Sequence, residues 1–184
     1  MWRCELPRST GVLIFISLTA LLLGAPSFAV DLGPLVLAVP DGFDVPASSE
    51  HDGGVTTVWT KRRPGTADTT LLQVSVLDGG AAFDEASVDD RFLGAQHYLL
   101  EFIRGVGRTE DHFQLAEVEH ASLAGLPAAR ASWTGTVGDK PIVGVMYCVL
   151  VGHSIVSLRT EDAGPAITPA MYGAIAAIEA VRRR

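Results

Sequence analysis

Apolar and polar side chains alternate every second residue along most of this chain, and a helical period replaces that alternation in two places. In "VTTVWT", residues 55–60, Val55, Thr57 and Trp59 fall on one face, and "HDGG" before it and "RRPGTAD" after it supply turns. "LLQVSVL", residues 71–77, sets Leu72, Val74 and Val76 against Gln73 and Ser75, so the two runs are expected to pair as a hairpin. Ahead of them, "LGPLVLAVPDGF" predicts an extended opening segment that ends in a turn at Pro40 to Gly42.

From Val88 onward the period changes. Val88, Phe92, Ala95, Leu99, Phe102 and Val106 recur at spacings of three and four, the signature of one apolar helical stripe. Ser87 is the expected N-cap, with Asp90 completing a box-like pair, Asp89 and Asp90 at the positive end of the helix dipole, and Gly105 and Gly107 as stops. Four strands follow, over 113–122, 127–137, 141–151 and 154–160, with turns at "LAGLP", "VGDKP" and "GHS" short enough to require antiparallel neighbours. In the third of these, Val143, Val145, Tyr147, Val149 and Val151 share one face, and Ile142, Met146, Cys148 and Leu150 share the other. A strand apolar on both faces must be covered on both. A closing helix, capped by Thr168 and Pro169 with a stripe of Met171, Ala174, Ile175, Ile178 and Val181, supplies part of that cover. The expected fold is α+β, in the order βββ-α-ββββ-α: an antiparallel sheet of six to seven strands with two main helices packed on it.

The first thirty residues read differently. Arg3 and Arg8 precede an uncharged run, "VLIFISLTALLLG", and "APSFA" places Ser27 and Ala29 at small positions, the order of a secretory signal peptide. Cleavage is expected between Ala29 and Val30, leaving residues 30–184 as one domain. The alternative is an uncleaved anchor; the run of 13 residues is shorter than the ~20 a membrane-spanning helix needs. Cys4 precedes the run, whereas a lipid-anchor cysteine would follow it, and its removal leaves Cys148 as the sole thiol, with no intramolecular disulfide possible. Cys148 is expected to act as a small core hydrophobe.

Charge narrows the partners. From Val30 onward the chain carries 12 basic and 20 acidic side chains, and such a surface gains nothing from contact with phosphate backbones, which argues against nucleic acid.

The segments "LAVPDGF" and "SLAGLPAARASW", with the element order, resemble the PsbP-like superfamily, particularly its exported DcrB-like and LpqN-like bacterial branch, over about residues 35–181. That resemblance implies an α/β/α sandwich and a family of accessory or binding proteins, and it brings no catalytic motif to any position here.

The candidate chemical motifs along the chain are incomplete. "GHSIV" has Gly152 and Ser154 but Val156 where a nucleophile elbow requires glycine, and it sits in a turn between strands. His51, His97, His112, His120 and His153 show no metal-ligand spacing, and Asp78, Asp84, Glu85, Asp89 and Asp90 lack the order of a calcium loop. "KRRPG", with Lys61, Arg62 and Arg63, is the one internal basic cluster, read as a solvated hairpin tip or a dock for an anionic partner or lipid headgroup. Arg130 is expected on the outer, solvated face beside Ser132, Thr134 and Thr136, opposite Ala129, Ala131, Trp133 and Val137, and "VRRR" as a helix end with a frayed tail.

The function expected is that of a periplasmic or secreted accessory or binding protein, not an enzyme, with no catalytic, cofactor or metal site. Its partner would be an envelope protein or a small apolar ligand. The alternatives are a lipid carrier with a closed apolar pocket beneath the 88–106 helix, or a hydrolase that gathers His153, an acid and a hydroxyl only in the fold.

Overall fold

The computed structural model describes residues 29–51, 53–80 and 83–184, so the expected signal peptide lies outside the described residues except for Ala29. Five strands come first: β1 (Ala29–Asp31), β2 (Leu35–Ala38), β3 (Ala47–His51), β4 (Gly54–Arg62) and β5 (Thr69–Asp78). Helix α1 (Val88–Val106) precedes β6 (Asp111–Leu115), β7 (Glu119–Leu123), β8 (Leu126–Val137), β9 (Lys140–Val151) and β10 (Ser154–Ala163). The chain closes with α2 (Pro169–Glu179) and β11 (Arg182–Arg183). The main sheet runs β3-β4-β5-β10-β9-β8-β6, with β7 also on β8, and every pairing in it is antiparallel. The α+β class and the two packed helices are as the periodicity requires.

The two apolar faces of β9 explain why the sheet is covered on both sides. On one, Tyr147, Val149 and Val151 join Trp59, Leu72, Val74, Val156 and Leu158, and are roofed by Met171, Ala174 and Ile178 of α2 and by Leu35 and Leu37 of β2. On the other, Met146, Cys148 and Leu150 join Ala129, Ala131 and Trp133 under Ala95, Leu99 and Ile103 of α1. Each large aliphatic side chain so buried contributes roughly 1.5–3 kcal/mol, more than any single cap. Gly144 is required for packing: a Cβ there would enter the Trp133 ring, which lies across β9.

Four expectations are corrected. The sheet is larger than expected, with eight strands, and a second sheet of three, β1-β2-β11, sits apart from it. The opening segment belongs to this small sheet because Leu35, Leu37 and Val39 are needed as a roof over the core, not as its edge. The "frayed" tail is its third strand: Arg182 and Arg183 pair with Val36 and Leu35, Val181 is buried, and Arg184 pairs with Asp31 at 2.9 Å. The run 113–122 is split into β6 and β7, since the partner register on β8 slips between Asp111 and Gln114 and again between Leu115 and Glu119. Such bulges twist an edge strand and discourage edge-to-edge pairing.

The helix α1 is also rotated from its expected phase. Arg91, Ala95, Leu99, Ile103 and Val106 are its buried positions, whereas Val88 is exposed and Phe92 and Phe102 are half-buried. Arg91 sets this rotation by donating to the main-chain carbonyls of Asp84 and Ala86, which ties the helix to the loop before it.

Candidate functional site

The "KRRPG" cluster only partly forms the tip of the β4–β5 hairpin: Lys61 and Arg62 end β4, paired with Thr70 and Thr69, and the turn begins at Arg63. Residues 61–64 and Thr70 form one wall of a 490 Å³ groove, and Thr168, Pro169 and Ala170 at the start of α2 form the other. Its walls are mostly carbon, with two prolines and an alanine among the lining residues. Lys61 donates to the Asp41 carbonyl at 2.7 Å and lies over the Phe43 ring, and Arg63 donates to the Ala163 carbonyl at 3.0 Å. Main-chain carbonyls thus hold two cations in place while leaving their charge largely uncompensated. The nearest salt bridge, Arg63 to Asp68, is 3.6 Å long, and Asp68 is more closely engaged by Lys140 at 2.7 Å. That Lys140 hydrogen bond holds the Asp68 carboxyl below its ordinary pKa.

Beneath the groove lies a residue that the sequence reading missed. Asp162 is fully buried; one carboxylate oxygen accepts from the Thr70 hydroxyl and the other from the Thr168 amide at 2.7 Å. Thr168 caps α2 as expected, its hydroxyl accepting from the Met171 amide. The signal was present: Asp162 falls in phase with Val156 and Leu158 on the buried face of β10, where a carboxylate must find partners.

Arg130 is not a solvated outward residue. It donates to the Tyr147 hydroxyl at 3.1 Å and to Glu119 at 2.6 Å, and Tyr147 in turn donates to Glu179 of α2 at 2.7 Å. Burial, reinforced by the Glu179 hydrogen bond, pushes the Tyr147 pKa up to about 12, so it serves as a neutral donor. This chain ties β7, β8, β9 and α2 together. Arg130 also borders a 350 Å³ depression with Ser132, Thr134, Val143 and Ile167.

His153 and Ser154 do share an open depression with Glu50 and Asp78, and Ser154 pairs with Asp78 along the β10–β5 ladder, yet no side-chain hydrogen bond joins the four among the described residues. Gly152 takes a positive φ of 58° in a hairpin turn between β9 and β10, as the sequence indicated. The acidic stretch before α1 is engaged locally: Asp78 caps Gly80, Asp84 accepts from Gly152 and pairs with Arg91, and Asp90 exchanges hydrogen bonds with Ser87. His120 stacks on Phe92 with ring centres 3.3 Å apart. Cys148 is fully buried, and burial pushes its thiol up to about 12, so it acts as a core hydrophobe. Glu110, also buried, accepts from the Trp133 indole at 3.2 Å; its other oxygen has no partner, and burial raises its pKa. No helix among the described residues is long and apolar enough to cross a membrane.

No family model and no curated protein matches the chain. Among solved structures it is similar to LpqN of Mycobacterium tuberculosis, described as involved in cell envelope biogenesis. The identity is 19%, with 87% of this chain and 86% of that one covered at a TM-score of 0.50. A Pseudomonas aeruginosa protein of unknown function is 13% identical over 81% of this chain and 90% of its own, with a TM-score of 0.46. A Bacteroides thetaiotaomicron protein is 8% identical over 82% of this chain and 45% of its own, at 0.47. The likeness to LpqN is one of fold.

Proposed function

We propose that the chain is an exported, non-catalytic binding or accessory protein of the cell envelope, with a PsbP-like domain spanning residues 30–184. The observation that carries this reading is the groove between the β4–β5 hairpin and α2, whose mostly apolar lining includes cations held by main-chain carbonyls. A concave, carbon-walled site of this volume with a few placed polar groups suits ligand retention. The fold likeness to a protein described as involved in cell envelope biogenesis supports the location, as does the order of charge, apolar run and small residues before Val30. A cut after Ala29 is compatible with the packing, because Ala29 is exposed whereas Val30 packs against the core and Leu32 is buried.

The test is to express the full chain in a bacterial host, sequence the N-terminus of the recovered protein and identify by mass spectrometry what accompanies it. A protein that begins at Val30 with a stoichiometric partner or ligand is the expected result. Retention of Met1 in the cytoplasm would contradict the location, and turnover of an ester or peptide substrate lost on Ser154→Ala would contradict the absence of catalysis.

A further inference from the structure

The acidic balance of the chain makes its few uncompensated cations informative. Among the described residues seven basic side chains make ion pairs: Arg63, Arg91, Arg104, Arg130, Lys140, Arg159 and Arg184. Lys61, Arg62, Arg108, Arg182 and Arg183 make none. Two of these five, Lys61 and Arg62, are adjacent on one groove wall beside Arg63, whose own pair is among the longest of the seven. No carboxylate lines the groove.

Local geometry keeps these charges available. Lys61 and Arg63 are held by carbonyl oxygens, which orient a cation without cancelling it. Gly164, beside the Arg63 guanidinium, takes a φ of 141° that side-chain-bearing residues rarely adopt, which lets the chain turn after Ala163. The facing wall contributes the Thr168 hydroxyl and a first helical turn with no acidic side chain, whereas the first turn of α1 carries Asp89 and Asp90. Three of the nearby acids are already engaged: Asp44 accepts from the Thr60 hydroxyl, Asp68 from Lys140, and Asp162 is buried on Thr70 and Thr168.

We propose that Lys61, Arg62 and Arg63 bind a phosphate group in this groove, belonging either to an anionic lipid headgroup or to a soluble phosphoester. Three cations lining one groove suit a group with several charged oxygens better than a single carboxylate, and the arginine fork pairs with two phosphate oxygens at once. The inference rests on the binding-protein reading above and names its ligand chemistry.

Calorimetry of the purified mature protein with inorganic phosphate, and flotation with vesicles of phosphatidylglycerol or of phosphatidylcholine, separate the two sources. Arg62→Ala is the test variant because Arg62 is exposed and makes no ion pair, and Arg108→Ala is the control for loss of one positive charge elsewhere. Expected is saturable binding weakened about tenfold by Arg62→Ala, unchanged by Arg108→Ala and reduced by salt. Binding to phosphatidylglycerol but not phosphatidylcholine vesicles identifies the lipid source; binding of phosphate without vesicle binding identifies the soluble one. Equal loss in both variants, or no saturable binding of either probe, overturns the phosphate site. A co-purifying ligand or partner whose retention ignores Arg62→Ala overturns it while leaving the binding-protein reading standing; if nothing co-purifies and no probe binds, both fall.

Discussion

The two helices begin in opposite ways. Ser87 and Asp90 exchange hydrogen bonds at the start of α1, Asp89 adds charge there, and Arg91 ties the first turn back to Asp84 and Ala86 in the loop just before it. At α2, Thr168 caps the first turn, and the Thr168 amide is satisfied from β10 by Asp162, which also holds Thr70 of β5. The first helix start is a local device facing solvent. The second is built into the sheet and forms one wall of a groove lined by Lys61, Arg62 and Arg63 and by no carboxylate. A terminus assembled from distant strands can position a ligand wall, whereas a self-contained cap only starts a helix.

The contrast can be broken by mutation. Leu99→Ala in α1 and Ile178→Ala in α2 both remove fully buried side chains, and each is expected to cost about 2–5 kcal/mol in urea unfolding. Asp162→Ala leaves the Thr70 hydroxyl and Thr168 amide without their acceptor, for an expected loss of about 3 kcal/mol, and Asp162→Asn recovers part of it. Ser87→Ala should cost only about 1 kcal/mol, because it removes one cap hydrogen bond at an exposed site. If Ser87→Ala proved as costly as Asp162→Ala, the distinction between a local and a sheet-built helix start would be lost.

Glu110 sharpens the comparison through pH. Its carboxyl is raised by burial above the ordinary value of 4.5, so it favours the folded state below that value and loses that contribution as pH rises through its folded pKa. Glu110→Gln keeps an acceptor for Trp133, and it should therefore be at least as stable as the parent at pH 7 and show a shallower decline of stability between weakly acidic and neutral pH. A steeper decline would contradict the assignment. Arg62→Ala is the smallest effect: within about 0.5 kcal/mol of the parent in stability, since the residue is exposed and makes no ion pair.

Much of this architecture was legible in the chain. The two-residue alternation marked β4, β5, β8, β9 and β10, and the double apolar character of residues 142–151 already demanded cover on both faces. Ser87 and Thr168 were readable as caps because capping chemistry is local. What escaped was set by distant partners. β3 is "ASSEH", polar on both faces, and is a strand only because β4 supplies its hydrogen bonds. Arg182 and Arg183 are polar and terminal, and only the free edge of β2 makes them a strand. The phase of α1 depended on Arg91 finding loop carbonyls, which no apolar period encodes. For the site, the cations of residues 61–63 were visible, but the α2 wall opposite them lies about a hundred residues further along the chain.

The most direct measurement is a titration of the isotope-labelled mature protein with inorganic phosphate, followed by backbone amide shifts. Saturable shifts confined to Lys61, Arg62, Arg63, Thr70, Thr168 and Ala170 are predicted. Shifts centred instead on the cleft between α1 and β6, around Arg104 and Arg108, or spread over all exposed cations without saturation, would contradict a built phosphate site at the start of α2.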